Sequence, residues 1–463
     1  MMKRMVRLLV LSAVLASALA ISAFAADFTH CADALHELGL FQGTESGYEL
    51  DRAPSRVEAG VMLVRLLGAE EDALAAETYT APFTDVPNWA KPYVQYLYDN
   101  GLVNGESETI YGTDNPCTAQ HYATFLLRAL GYSDGEGGDF AYADAMDFAR
   151  EIGVVDMANC DEDNFLRDDV VAMSYTALSI APKTGEADLL SKLAEEGAIQ
   201  DTKGYDQLFA DYRSYLAAAG SQSQEEKMSM AMDMTMSMSL AGVPYMDYAM
   251  NLDAAVDTDL EHMDQTRMAM TGAMEVTINP ELAAQMGLSQ EEAHTTSDLA
   301  YYYADGYYYV SMDGEKLRMP LSFEEVMSQT ELLSTGTAGQ SEPICLVKDL
   351  SITSSSGVDT YTITYAGGAM SGLVQSVMGA MPAETVDSAD ASMTLGDATA
   401  VVTVEDDSLT GMTISMTMEM TVENVPVSVS LEMAVSDISV GNSVTVTLPD
   451  DLDTYQDITA AQA

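Results

Sequence analysis

Met228, Met230, Met232, Met234, Met236 and Met238 alternate with small or polar residues through one stretch of this chain. A period of two puts every one of them on the same side of a β-strand. Met412, Ile414, Met416, Met418 and Met420 repeat the pattern, and Met268 and Met270 begin another copy. Thioethers are flexible and polarizable, so such a row suits an ordinary core, an adaptable face for a hydrophobe, or capture of copper(I). Alternate side chains on one strand point parallel to each other and do not converge on one ion, so no metal site is expected. The face expected to meet a hydrophobic ligand carries Met230, Met232, Met234, Met236, Met416 and Met418. The other reactive residues form no recognisable constellation. Cys31, Cys117, Cys160 and Cys345 are widely spaced, with no Cys-x-x-Cys, and are expected to be buried thiols with at most one disulfide among the first three. His30, His36, His121, His262 and His294 make no metal-type pair, and neither a Gly-x-Ser-x-Gly elbow nor a phosphate-binding Walker loop is present. No catalytic residue and no cofactor are expected.

The methionine rows require long strands, and turn signals supply their limits. Asp305-Gly306 separates Tyr301-Tyr302-Tyr303 from Tyr307-Tyr308-Tyr309, and Asp313-Gly314 follows, both of the type that closes hairpins. Alternating runs continue at Val401–Val404, Val427–Met433 and Val444–Leu448. Short apolar helices are expected at Pro280–Met286, Phe323–Met327 and Met370–Met378. The whole reads as a large antiparallel sheet with a few helices against one face. A helix over Tyr205–Ala219 and the polar stretch Gly220–Glu226 separate this region from what precedes it.

The preceding region changes period. Val57, Val61, Val64 and Leu67 share one helical face that stops at Gly68. Tyr122, Phe125, Leu126, Ala129 and Leu130 do the same before Gly131, and Val170, Val171, Ser174 and Leu178 make a third set. Shorter helices are expected ahead of each, at Ala32–Leu40, Ala90–Leu102 and Tyr142–Val154. Gly39-Leu40-Phe41-Gln42-Gly43, Gly101-Leu102-Val103-Asn104-Gly105 and Gly153-Val154-Val155 follow them, at a period of roughly 50 to 60 residues. Units of that length stack to bury a shared core.

The segment Phe83-Thr84-Asp85-Val86-Pro87-Asn88-Trp89-Ala90-Lys91-Pro92-Tyr93-Val94 resembles the opening of an S-layer homology repeat, the module that fastens surface proteins to bacterial cell walls. The family's Thr-Arg-Ala-Glu motif has counterparts in Ser55-Arg56-Val57-Glu58 and Leu166-Arg167-Asp168-Asp169; at Thr118-Ala119-Gln120-His121 the arginine is missing. The resemblance implies three repeats, at residues 26–82, 83–139 and 140–200. It further implies that Arg56 and Arg167, with Asp85 and Trp89, grip a secondary wall polysaccharide of the acidic, pyruvylated kind. The chemistry suits that role, since a guanidinium pairs bidentately with a carboxylate and an indole covers a sugar ring. The competing reading has the two arginines bracing helices and Trp89 filling the core.

The tyrosine hairpin with Gly314-Glu315-Lys316-Leu317-Arg318, and the closing Leu448-Pro449-Asp450-Asp451-Leu452, resemble the curved-sheet domains of the lipoprotein-carrier superfamily. That likeness implies a concave apolar face able to take up a lipid or another hydrophobe. The expected architecture is therefore multidomain. A signal peptide (1–25) precedes the α-helical repeats; a helix and linker (201–224) lead to an α+β domain with a large curved antiparallel sheet (225–455).

Met1 to Arg7 is basic, Leu8 to Ile21 is apolar and Ala23-Phe24-Ala25 is a small-x-small cleavage site, which together predict export. No later stretch approaches the ~20 apolar residues of a membrane span. With 19 Lys and Arg against 73 Asp and Glu, the net charge is −54, which excludes nucleic-acid binding through a basic surface. The same field repels an anionic wall polymer, physiological salt screens it beyond ~8 Å, and local arginines must overcome what remains. The expected protein is a non-catalytic, wall-associated surface protein of a Gram-positive-type bacterium. A wall-anchored hydrolase using paired carboxylates and a structural S-layer component are the alternatives.

Overall fold

The computed structural model describes residues 27–457 except 136, 157, 221–225, 259–261, 263–264, 324–342, 372–391, 407 and 423–424. The leader (1–25), most of the 220–226 linker and most of the expected helices at 323–327 and 370–378 lie outside the described residues.

Helices fill the first half: α1 (Thr29–Glu37), α2 (Arg56–Leu66), α3 (Glu70–Leu74), α4 (Lys91–Asp99), α5 (Ala119–Ala129), α6 (Ala145–Glu151), α7 (Arg167–Leu178), α8 (Leu189–Glu195) and α9 (Tyr205–Gly220). Six of them, the pairs α1/α2, α4/α5 and α6/α7, overlap the six helices expected in this region from the apolar spacing. Polar residues fix where the second helix of each pair begins. Ser55 Oγ accepts the Glu58 N–H while Glu58 accepts the Ser55 N–H at 2.8 Å, and Thr118 and His121 exchange the same two bonds. Each reciprocal cap satisfies two helix-end donors. At α7 only half survives: Asp169 accepts the Leu166 N–H at 2.6 Å, and leucine has no acceptor to return.

The second half is one 13-stranded sheet in the order β13-β6-β5-β4-β3-β2-β1-β12-β11-β10-β8-β7, with β9 (Ser392–Leu395) paired to β11. The central strands are long: β1 (Lys227–Leu240), β2 (Val243–Asp257), β3 (Arg267–Ile278), β11 (Ser408–Val422) and β12 (Val425–Val440). β4 (His294–Ala304), β5 (Tyr307–Met312) and β6 (Glu315–Pro320) flank them on one side; β7 (Val347–Ser355), β8 (Val358–Tyr365) and β10 (Ala398–Glu405) flank them on the other. Two short helices, α10 (Pro280–Gln285) and α11 (Gln290–Ala293), join β3 to β4. Asp305-Gly306 and Asp313-Gly314 both carry paired positive φ values, 51° and 75° and then 50° and 81°, the backbone of the primed turns that suit twisted hairpins.

Two expectations change. The sheet is mixed, because β13 (Gln456–Asp457) pairs parallel to β6. Val444–Leu448 is not a strand: a 3-10 turn at Gly441–Ser443 ends β12, and the chain then runs on irregularly. That path delivers Leu448 and Leu452 to Tyr302, Tyr309 and Tyr455, and burial of this cluster outweighs the β propensity of the run.

One continuous core joins the helices to the sheet. Phe28, Leu35, Tyr175 and Phe209 from the helices share it with Ile344, Leu346, Tyr361, Ile363 and Val402 from the sheet region. Full burial of each such side chain contributes on the order of 1.5–3 kcal/mol. Hydrogen bonds cross the same boundary, with the Asp27 N–H donating to Gly368 O at 3.1 Å and the His30 side chain's Nε2 lying 2.8 Å from Cys345 O. All four cysteines are free and buried, the two across this boundary included.

Candidate functional site

Arg56 is the first residue of α2, and only 5% of it is exposed. Its main chain is sewn to the loop between α4 and α5: the Arg56 N–H donates to Asn115 O at 2.8 Å and the Val57 N–H to Thr113 O at 3.3 Å. Its side chain continues inward, with Nε donating to Tyr111 O at 3.0 Å and Nη2 to Asn104 O at 2.8 Å. The guanidinium carbon stands 5.1 Å from the Phe125 ring centre and 5.3 Å from that of Tyr111. The remaining nitrogen, Nη1, is buried and has no partner among the described residues. A buried unpaired donor on a cation is costly, so this nitrogen is the conspicuous unmet demand of the region.

Arg56 lines a cleft of about 310 Å³. His121, Phe125 and Arg128 share it; their spacing of four and three residues sets them on one face of α5. Arg128 is already committed: Nε and Nη2 clasp Asp134 at 2.9 and 2.6 Å, and Nη1 donates to Leu102 O at 3.1 Å. Glu106 on the rim accepts Asn115 Nδ2 at 2.9 and 2.8 Å. Its carboxylate lies against Gly112 (φ +84°), where a side chain would displace it. Burial first, then the Arg56 charge, pushes the His121 pKa down, so its ring is neutral near pH 7. Tyr142 closes one side, its ring 6.3 Å from that of His121.

Asp85 does not reach into this cleft. Its carboxylate accepts the N–H groups of Tyr111, Gly112 and Thr113 at 2.8, 2.8 and 3.1 Å. Burial raises its pKa, and these backbone bonds together more than offset that, holding it below the ordinary range. Asp85 thus shapes the loop whose carbonyls hold Arg56. Trp89 is 57% exposed and so does not fill the core, and it is not among the residues lining the cleft.

Arg167 repeats the Arg56 geometry one interface away. The N–H groups of Arg167 and Asp168 donate to Arg52 O and Leu50 O at 3.0 and 3.1 Å, and Nε donates to Tyr48 O at 3.0 Å. Phe41 lies under the guanidinium at 5.8 Å, and the side chain's Nη1 touches Met62 Sδ at 3.7 Å. Burial, then Arg52, lowers its pKa from the ordinary value, but a guanidinium keeps its proton at any working pH. The third equivalent position is Ala119; there Gln120 Nε2 donates to Tyr142 O at 2.6 Å instead.

The methionines form a second feature. Strand register places Met274, Met250, Met234, Met433 and Ile414 side by side across β3, β2, β1, β12 and β11. Val276, Tyr248, Met236, Leu431 and Met416 make the adjacent row, and Ile278, Met246, Met238, Val429 and Met418 the next. Asp233, Thr235 and Ser237 are exposed on the opposite side, as the alternation requires. Within β1 only Met238 is buried; Met230, Met232, Met234 and Met236 are half-buried, as are Met416 and Met418. Tyr248 Oη donates to Met250 Sδ at 3.4 Å.

The structure thus brings Arg56 into a cleft, holds Arg167 by similar backbone and ring contacts outside that cleft, and keeps Asp85 and Trp89 out of the cleft lining. Sequence reasoning missed His121, Arg128 and Tyr142. The available signal was the 121, 125, 128 spacing on a helix whose start had already been recognised.

Residues 82–121 match the S-layer homology domain, and residues 229–454 match a family of unknown function, DUF6612. A surface layer protein of Brevibacillus choshinensis is 33% identical over 147 residues, 28% of this chain and 13% of that protein. The middle cell wall protein of Brevibacillus brevis is 27% identical over 191 residues, 37% of this chain and 18% of that one. An amylopullulanase of Thermoanaerobacterium thermosulfurigenes is 26% identical over 157 residues, 31% of this chain and 8% of its own length. The chain thus spans less than a fifth of the length of these relatives. Among solved structures, LprF from Mycobacterium bovis aligns with 52% of this chain and 96% of its own, at 11% identity and a TM-score of 0.24. A LolA superfamily protein from Nitrosomonas europaea aligns with 53% of this chain and 96% of its own, at 10% identity and a TM-score of 0.15. Among the described residues no helix is long and apolar enough to cross a membrane.

Proposed function

We propose that the S-layer homology match marks the middle unit of a three-repeat wall anchor, and that this chain is a non-catalytic surface protein held on secondary cell-wall polysaccharide. The observation that carries the reading is Arg56: a residue that lines a cleft of about 310 Å³, with a buried guanidinium whose Nη1 has no partner among the described residues. A ligand carboxylate would meet that demand through a charge-assisted bond in a partly desolvated place. Arg167 supplies a second anchor point of the same design, and the pyruvylated polymer suits both because it brings the carboxylate. Trp89, exposed as it is, offers a stacking face to the chain of sugars outside the cleft. The test is co-sedimentation of the full chain with purified wall sacculi. Arg56→Ala and Arg167→Ala should each weaken retention and the pair should abolish it, as should stripping the anionic polymer from the sacculi. A folded double variant that still co-sediments refutes the assignment.

A second reading concerns the displayed sheet, and the half-buried methionine rows favour it. Flexible thioethers on five neighbouring strands form an apolar face that can repack around a lipid or another hydrophobe. Gly272 in mid-β3 supports curvature, since a Cβ there would collide with the Asn251 carbonyl. Native mass spectrometry of the purified chain should reveal co-purified lipid, or a fluorescent fatty acid should bind saturably. If both fail, the sheet is a spacer.

A further inference from the structure

The neutral His121 ring has one nitrogen whose direction is set and one that is free. Its Nδ1 accepts the Thr118 N–H at 3.3 Å as half of the cap that starts α5. A neutral imidazole that accepts at Nδ1 carries its proton on Nε2. No described residue takes that proton. Phe125, over which the Arg56 guanidinium lies, is four residues further along the same helix and so on the same face of it as His121. His121, Phe125 and Arg56 all line the one cleft.

Resting on the wall-binding reading of this cleft, we propose that His121 is its second ligand-binding residue, its Nε2–H and the Arg56 Nη1–H together holding one carboxylate of an acidic sugar. The two donors come from different helix pairs, so the ligand bridges α2 to α5. Neither competing charge in the cleft is free to take the role: Arg128 is clasped by Asp134, and Glu106 is an acceptor held by Asn115. The cap explains why a histidine serves here. It fixes the tautomer, and burial next to a cation keeps the ring neutral, so the donor persists through the neutral range.

The experiment measures sacculus co-sedimentation of the full chain in four variants. His121→Glu keeps the reciprocal cap, because glutamate is the ordinary residue there, but replaces the donor with a like charge for the ligand. His121→Phe keeps a ring against Tyr142 and has no donor. Both should retain at least about 10-fold less, the loss expected for a hydrogen bond to a charged group. His121→Gln keeps both the cap and an N–H donor and should stay within about threefold of the parent. Arg56→Ala reports on the underlying reading. If Arg56→Ala loses binding while His121→Glu and His121→Phe bind like the parent with unchanged melting temperatures, His121 has no such role and the anchor reading stands. If Arg56→Ala binds normally, the anchor reading itself falls. Loss in His121→Gln as severe as in His121→Phe, with the fold intact, assigns the effect to ring shape and overturns the donor assignment.

Discussion

Replacing Asp168 by Asn should remove most of the pH dependence of stability between pH 6 and 8. Asp168 is 7% exposed and accepts the Phe28 N–H through both oxygens, at 3.0 and 3.2 Å. It therefore ties α7 to the start of α1, beside the Asp27 N–H bond to Gly368 O that joins helices to sheet. Burial is the main force on this carboxyl; the Phe28 bond lowers its pKa, Asp169 and Asp27 raise it, and the net effect is a rise to about 8. An unfolded aspartate titrates near ~3.9, so the folded state holds the extra proton across this whole interval. More protons bound in the folded state means that stability falls as pH rises from about 4 to about 8. A shift of about four units corresponds to on the order of 5 kcal/mol by the upper limit. Asp169, pushed to about 6 chiefly by burial, adds a smaller loss over the lower part of the interval. Glu58 acts the other way: burial raises it, but the Arg52 guanidinium and the Ser55 cap hold it at about 2, so its contribution disappears only below about pH 4. Asparagine keeps an oxygen for the Phe28 N–H and carries no charge. Urea unfolding followed by far-UV circular dichroism at pH 5, 6, 7 and 8 would show the parent weakening throughout and Asp168→Asn levelling off above about pH 6. Parallel curves for the two proteins would refute the claim that this carboxyl is protonated in the folded state.

Two further outcomes can be measured directly. Gly105→Ala should destabilise the helical region by about 2 kcal/mol or more and reduce wall binding, since its Cβ would lie 2.5 Å from Ile110 O, 2.6 Å from Ser107 O and closer still to the Phe83 ring; thermal melting of the variant checks this. Peroxide footprinting by peptide mass spectrometry should oxidise the 58% exposed Met286 first, the half-buried Met230 to Met236 next, and the buried Met238, Met246 and Met420 last. Equal rates along Met230 to Met238 would mean that the row is no better covered at Met238 than at its other end.

Local sequence rules determined much of the architecture. Periods of 3.6 and 2 separated helices from strands, Ser55 and Thr118 marked helix starts through bonds made within four residues, and Asp-Gly pairs required the positive φ values found at both hairpins. These signals are legible because each arises among neighbours in the chain. The methionine alternation likewise predicted which side of β1 would be apolar. It did not predict the rows across β3, β2, β1, β12 and β11, because register depends on pairing residues as far apart as Met234 and Met433. Val444–Leu448 looked like a strand for the same reason: its alternation is local, while the cluster that claims Leu448 is distant.

The candidate site divides along the same line. Arg56 and Arg167 stood out in the sequence because they open helices in a repeated motif. Only the packed chain decided what they do, sending two of Arg56's nitrogens to carbonyls about 50 residues away and leaving the third buried without a partner among the described residues. Asp85 and Trp89 carried the family likeness, yet backbone N–H groups 26 to 28 residues away took the first and solvent the second. His121 was visible merely as an odd residue in a helix cap. It shares a cleft with Arg56 because α2 docks against α5, and a side chain's unmet hydrogen bonds depend on neighbours that folding alone brings together.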